Sequence, residues 1–137
     1  MPEAPPNIEL EHPDGSWLLR HENGQIHERG AYKNDVEVGR WLWWYEDGQR
    51  MAVGEFEAGK RIGSWTWWQE NGNLIAEGQY RDGEGFGPWR TYHENGARWG
   101  EGHYSADEKS GPWVFWNEDG SVDEANSGHY EAGVLEE

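Results

Sequence analysis

The chain has no cysteine among its 137 residues, which excludes a disulfide scaffold, a thiolate zinc site and a cysteine nucleophile. Cations are scarce: 11 Lys+Arg stand against 27 Asp+Glu, a formal net charge of −16. Phosphate backbones and anionic membranes are held by clustered Lys and Arg, so nucleic acid and membrane surfaces are poor partners and a basic protein suits better. No apolar run approaches the roughly 20 residues of a membrane span. The opening residues, MPEAPPNIELEHPDG, have neither the basic nor the apolar region of a signal peptide, so a cytoplasmic location is expected. Serine is sparse, and Ser16, Ser64, Ser105, Ser110, Ser121 and Ser127 fall mostly in turns, leaving little for a Ser/His/Asp triad.

What the chain does have is aromatic side chains and glycine. A mean hydropathy of −1.10 with high charge is the profile of disorder. Yet 11 Trp, 6 Tyr and 3 Phe accompany 20 Gly, a mixture that suits short strands and tight turns.

A fixed period organises these residues. Trp recurs at Trp17, Trp41, Trp65, Trp89 and Trp113, each 24 residues after the last. A glycine stands two residues before each Trp (Gly15, Gly39, Gly63, Gly87, Gly111), and an Asn-Gly or Asp-Gly pair follows it. Those pairs are Asn23-Gly24, Asp47-Gly48, Asn71-Gly72, Asn95-Gly96 and Asp119-Gly120. A second glycine comes at Gly30, Gly54, Gly78 and Gly102, then an aromatic at Tyr32, Phe56, Tyr80 and Tyr104. In the fifth copy these slip by two, to Gly128 and Tyr130.

Each unit reads as a β-hairpin whose Asn-Gly or Asp-Gly forms a two-residue type I′ turn. Counting outward places Trp17 opposite Gly30, Trp41 opposite Gly54, Trp65 opposite Gly78 and Trp89 opposite Gly102. Each ring then lies over the glycine it faces. Trp113 falls opposite Asn126, so the two extra residues form a bulge. Alternation puts Trp17, Leu19, Ile26, Gly30 and Tyr32 on one face, with Trp65, Trp67, Leu74, Ala76, Gly78 and Tyr80 as their counterparts. The other face carries Trp44 opposite Met51, Trp68 opposite Ile75, Tyr92 opposite Trp99, and Trp116.

The predicted fold is all-β: an elongated single antiparallel meander of about ten strands in five stacked hairpins. The units are 15–38, 39–62, 63–86, 87–110 and 111–133. Residues 1–14, rich in proline, form a leader or cap, and 134–137 an acidic tail.

The motif G-x-W-x-x-[YW]-x-E-[ND]-G, followed by G-x-[YF], resembles the variant form of the MORN repeat over residues 15 to about 133. The resemblance implies stacked hairpins in a twisted sheet and a role with membranes, partner proteins or scaffolding, and the acidity departs from the lipid-binding members. Bacterial members are often labelled antitoxin-like, and the family offers no catalytic residues to carry over.

Little chemistry competes with a binding role. The turn carboxylates Glu22, Glu46, Glu70, Glu94 and Glu118 lie two strands apart, roughly 10 Å, too far to share a Ca²⁺. His12, His21, His27, His93, His103 and His129 lack zinc spacing. Gly83-Glu84-Gly85-Phe86-Gly87 has no following Lys or helix and is a turn, not a phosphate loop. Neither metal nor cofactor is expected, and the chain reads as non-enzymatic. The leading expectation is a scaffold that neutralises a basic protein in the manner of an antitoxin or immunity protein. Contact is placed on Trp44, Trp68, Tyr92, Trp99 and Trp116, with Glu46, Glu70 and Glu94 as a charged rim. Glycan binding by the same aromatics, or assembly of the second face against another copy, stays open.

Overall fold

The computed structural model describes residues 8–9 and 15–137, and every regular element in them is a strand. These are β1 (Ile8–Glu9), β2 (Gly15–Arg20), β3 (Ile26–Lys33), β4 (Val36–Trp44), β5 (Arg50–Glu57) and β6 (Lys60–Trp68). The second half holds β7 (Leu74–Arg81), β8 (Glu84–Tyr92), β9 (Arg98–Ser105), β10 (Glu108–Phe115), β11 (Gly128–Glu131) and β12 (Val134–Leu135). They pair antiparallel in chain order as one open 12-stranded sheet, the expected meander of hairpins. The expected leader 1–14 lies outside the described residues apart from β1, which pairs with β2. At the other end, β12 takes up Val134–Leu135 of the segment read as a tail.

The type I′ turns do not fall at the Asn-Gly and Asp-Gly sites where they were expected. The type I′ geometry, with φ > 0 at both central residues, belongs to the links between units. Asn34 and Asp35 have φ of 53° and 64°, Ala58 and Gly59 50° and 82°, and Ala106 and Asp107 48° and 71°. At the Asn-Gly and Asp-Gly sites only the glycine enters the left-handed region, Gly24 at 90° and Gly48 at 89°. There His21 N donates to Gln25 O (2.8 Å) and Gly24 N to His21 O (2.9 Å), closing the three-residue loop Glu22-Asn23-Gly24. The Asn23 side chain favours this form, because its Oδ1 accepts the Gln25 N–H at 2.9 Å and satisfies the turn from within.

The added loop residue is compensated by a one-residue bulge farther along. The pairing runs from Trp17↔Gly30 to Leu19↔Glu28 and then shifts to Arg20↔Ile26, leaving His27 as the extra residue. Met51, Ile75 and Trp99 hold the same place in later copies. The second-face pairs are therefore Trp44↔Arg50, Trp68↔Leu74 and Tyr92↔Arg98, correcting the expected pairs with Met51, Ile75 and Trp99. Ile26 and Leu74 move to the second face with them.

The Trp–Gly backbone register is as counted, but the ring over each glycine comes from the next unit. A Cβ on Gly54 would stand 2.1 Å from Trp65 Cδ2, not against Trp41, and one on Gly30 would stand 2.1 Å from Trp41 Cδ2. Gly78 is covered in the same way by Trp89, and Gly102 by Trp113. A second bulge makes this possible. Between β3 and β4 the pairing goes from Ala31↔Val38 to Arg29↔Leu42, so Gly39, Arg40 and Trp41 together oppose Gly30. Gly39, at φ 71°, turns the strand out so that the indole folds back over the neighbouring hairpin. In the fifth copy Trp113 recovers a glycine partner, Gly128, instead of Asn126. The two extra residues are taken up in the turn after Asp123, whose Oδ1 accepts the N–H groups of Ala125 (3.1 Å) and Asn126 (3.3 Å).

Packing follows from this overlap. Trp41, Trp43, Trp65, Trp67 and Trp89 form a run of indoles with successive centroids 5.9, 5.6, 5.8 and 5.8 Å apart. Tyr32, Phe56 and Tyr80 stand edge-on to Trp41, Trp65 and Trp89 at 5.3, 5.2 and 5.4 Å, a favoured arrangement of ring quadrupoles. Thr91 replaces an indole in the fourth copy, and Tyr104 bridges the gap, 5.4 Å from Trp89 and 5.1 Å from Trp113. Trp65 and Trp113 are both only 2% exposed, so one face of a single sheet supplies the core.

Candidate interaction surface

The second face is not a bare aromatic patch. Trp44, Trp68, Tyr92 and Trp116 each follow the first Trp of their unit by three residues and are half-buried, and Trp99 alone of the five is exposed, at 49%. Trp99 sits in the β9 bulge against His93, with ring centroids 5.8 Å apart. Arg98 covers Trp116 at 4.5 Å. Tyr92 donates its hydroxyl to Glu77 Oε1 at 3.2 Å. Arg90 pairs with Glu101 (2.9 Å) and reaches Glu77 (3.9 Å), so the face across β7–β9 is a network of exposed charges.

The other expected residues lie on the edge made by the three-residue loops. Glu46, Glu70 and Glu94 are exposed there, as are Glu22 and Glu118. Neighbouring loops are tied through the main-chain oxygens of these glutamates, the first to the second, the third to the fourth and the fourth to the fifth. Asn23 Nδ2 donates to Glu46 O at 2.7 Å and Asn95 Nδ2 to Glu118 O at 3.2 Å. A second ladder runs beneath them. His21 Nε2 donates to Trp44 O (2.8 Å), Tyr45 Oη to Trp68 O (2.6 Å), Gln69 Nε2 to His93 O (3.3 Å) and His93 Nε2 to Trp116 O (2.6 Å). Of these four, the sequence reading had named only His21 and His93, as histidines without zinc spacing. Their recurrence four residues after each first Trp was the available signal. At the last loop, the Ser121 hydroxyl and backbone N–H hold the exposed Asp119 carboxyl below its ordinary range.

Four phenols in these elements titrate above the ordinary 10.0. Burial is the main cause at Tyr32, Tyr45, Tyr92 and Tyr104, helped by Glu37, Glu70, Glu77 and Tyr80 respectively. Raised pKa values mean that the fold prefers the protonated phenol. This stabilisation is complete below pH 10 and is lost as pH rises through the folded values. Urea midpoints should therefore hold from pH 7 to 9 and fall above 10, and a midpoint that rose there would contradict the assignment.

Among the described residues no group of three or more His, Asp or Glu is placed to hold a metal ion, and no helix is long and apolar enough to cross a membrane. A family model described as "MORN repeat variant" matches residues 13–34, 37–58, 61–82 and 87–106. The fifth copy, with its altered turn, is outside those matches. No curated protein matches the chain. Among solved structures, a chain of "Crystal structure of GtfA/B complex bound to UDP and GlcNAc" is similar at 11% identity and a TM-score of 0.33. The alignment covers 88% of this chain and 24% of that one, so the present chain spans about a quarter of its length.

Proposed function

The chain belongs to the MORN repeat variant family, and from that premise we propose that it is a non-enzymatic repeat scaffold that takes a basic protein along its acidic loop edge. The observation that carries this reading is the exposed row Glu22, Glu46, Glu70, Glu94 and Glu118 on one edge of the sheet, with neighbouring loops joined at Glu46, Glu94 and Glu118, in a chain of net charge −16. Fixed like charges at regular spacing raise the encounter rate with a cationic surface and set its register. In the finer form of the proposal the partner is a basic toxin or effector, and binding neutralises it.

Capture of a basic partner should weaken as salt shortens the Debye length from about 10 Å to 3 Å. It should be lost in the variant with Glu46→Lys, Glu70→Lys and Glu94→Lys. If that folded variant retains the same basic partner at low salt, the loop edge is not the docking surface.

A further inference from the structure

One position on the aromatic face differs in every copy. It lies directly across the type I′ turn from the edge-on aromatic, and is filled by Glu37, Arg61, Gly85, Lys109 and Leu135 opposite Tyr32, Phe56, Tyr80, Tyr104 and Tyr130. In two copies the chain places its own cation there. Arg61 Cζ stands 5.0 Å from the Trp65 ring and 5.5 Å from Tyr80, and Lys109 Nζ stands 5.9 Å from Trp113 and 5.6 Å from Tyr130. Both lie within the distance at which a ring quadrupole attracts a cation.

At Gly85 the place is open. Tyr80, Trp89, Tyr104, Asp107 and Gly85 itself bound a cavity. Trp89 is correspondingly 9% exposed, against 2% for Trp65 and Trp113, whose rings carry Arg61 and Lys109. A Cβ on Gly85 would stand 3.5 Å from Trp89 Cζ2 and 3.3 Å from Asp107 Oδ1, so a side chain there would enter this cavity. The backbone does not require glycine, since Gly85 is not among the positive-φ residues. The Asp107 carboxylate is fixed at the mouth by the Gly85 N–H. The neighbouring Tyr104 phenol is kept protonated, chiefly by burial. Three aromatic rings and one carboxylate thus surround a space that the chain's own cations fill in adjacent units.

We propose that this cavity is the seat of an ammonium or guanidinium group from a basic side chain of a protein partner. The inference rests on the reading of a basic partner and adds a contact point on the aromatic face, beside the I′ turn that joins β7 and β8.

The seat is tested by following the Trp89 indole N–H resonance during titration with Nα-acetyl-arginine amide, Nα-acetyl-lysine amide, the neutral citrulline analogue and tetramethylammonium. The cationic amides should shift it saturably while the citrulline analogue leaves it in place. Asp107→Asn should weaken the response about fivefold, and Gly85→Arg, which fills the seat from within, should abolish it. An unmoved Trp89, or an equal response to citrulline, overturns the proposal. So does a response to tetramethylammonium alone, which would assign the cavity to a free quaternary ammonium. Capture of the basic partner separates this inference from the broader one. If the Glu→Lys triple variant loses the partner while Gly85→Arg keeps it in full, the seat is refuted and the loop-edge reading stands. If the amides bind but no basic protein is captured, the loop-edge reading fails and the partner side chain with it.

Discussion

Gly54→Ala should lower the unfolding free energy by roughly 3 kcal/mol, from overpacking against a ring with no space to retreat. The new methyl would stand 2.1 Å from two Trp65 ring atoms, and Trp65 is itself 2% exposed among Trp43, Phe56, Trp67 and Tyr80. Gly63→Ala is the matched control. Gly63 has φ 66° with nothing within 4 Å of the added carbon, so it should cost only the left-handed strain of about 1 kcal/mol. Denaturant unfolding of the two variants separates steric conflict from backbone strain. Equal losses would mean that the indole does not lie over the glycine.

The largest effect is expected from removing the buried indoles in pairs. Each Trp→Ala in a packed core costs about 3–5 kcal/mol. Trp41→Ala with Trp65→Ala should therefore remove most of the 5–15 kcal/mol available to an ordinary domain, and the double variant should be unfolded at 25 °C. Trp44→Ala with Trp68→Ala should stay folded with a reduced midpoint. Those side chains are half-buried, and among the described residues neither makes a ring–ring contact. What the edge ladder uses at these positions is the main-chain carbonyl, which alanine keeps. Circular dichroism and urea titration decide the matter, and an unfolded Trp44/Trp68 variant would show that the second face is core as well.

Much of the architecture was legible in the sequence because the 24-residue period constrains it so heavily. The Trp17↔Gly30 register follows from counting alone, since the three-residue loop and the one-residue bulge cancel by the time the strand reaches Gly30. The same cancellation hid both features and misassigned Met51, Ile75 and Trp99. Backbone counting also reports which residues are opposite, not where a long side chain reaches. The fold-back of Trp41 depends on the Gly39 bulge, and no two-residue alternation contains that step. Asn-Gly was read by its commonest hairpin use, whereas Asn23 satisfies the loop through its own side chain. The cation seat was visible only by aligning Glu37, Arg61, Gly85, Lys109 and Leu135, a comparison that needs the register first.

The strictly sequential strand order gives the molecule a mechanical character. Because each strand borders only its neighbours in the chain, a pull on the two ends loads the terminal pairs first and peels hydrogen bonds in series. The sheet resists as a zipper does, not as a clamp. Every freed unit of 24 residues releases about 80 Å of extended chain while the remaining rings keep their contacts. Such an array lengthens in steps of one repeat and recovers them from its own folded edge.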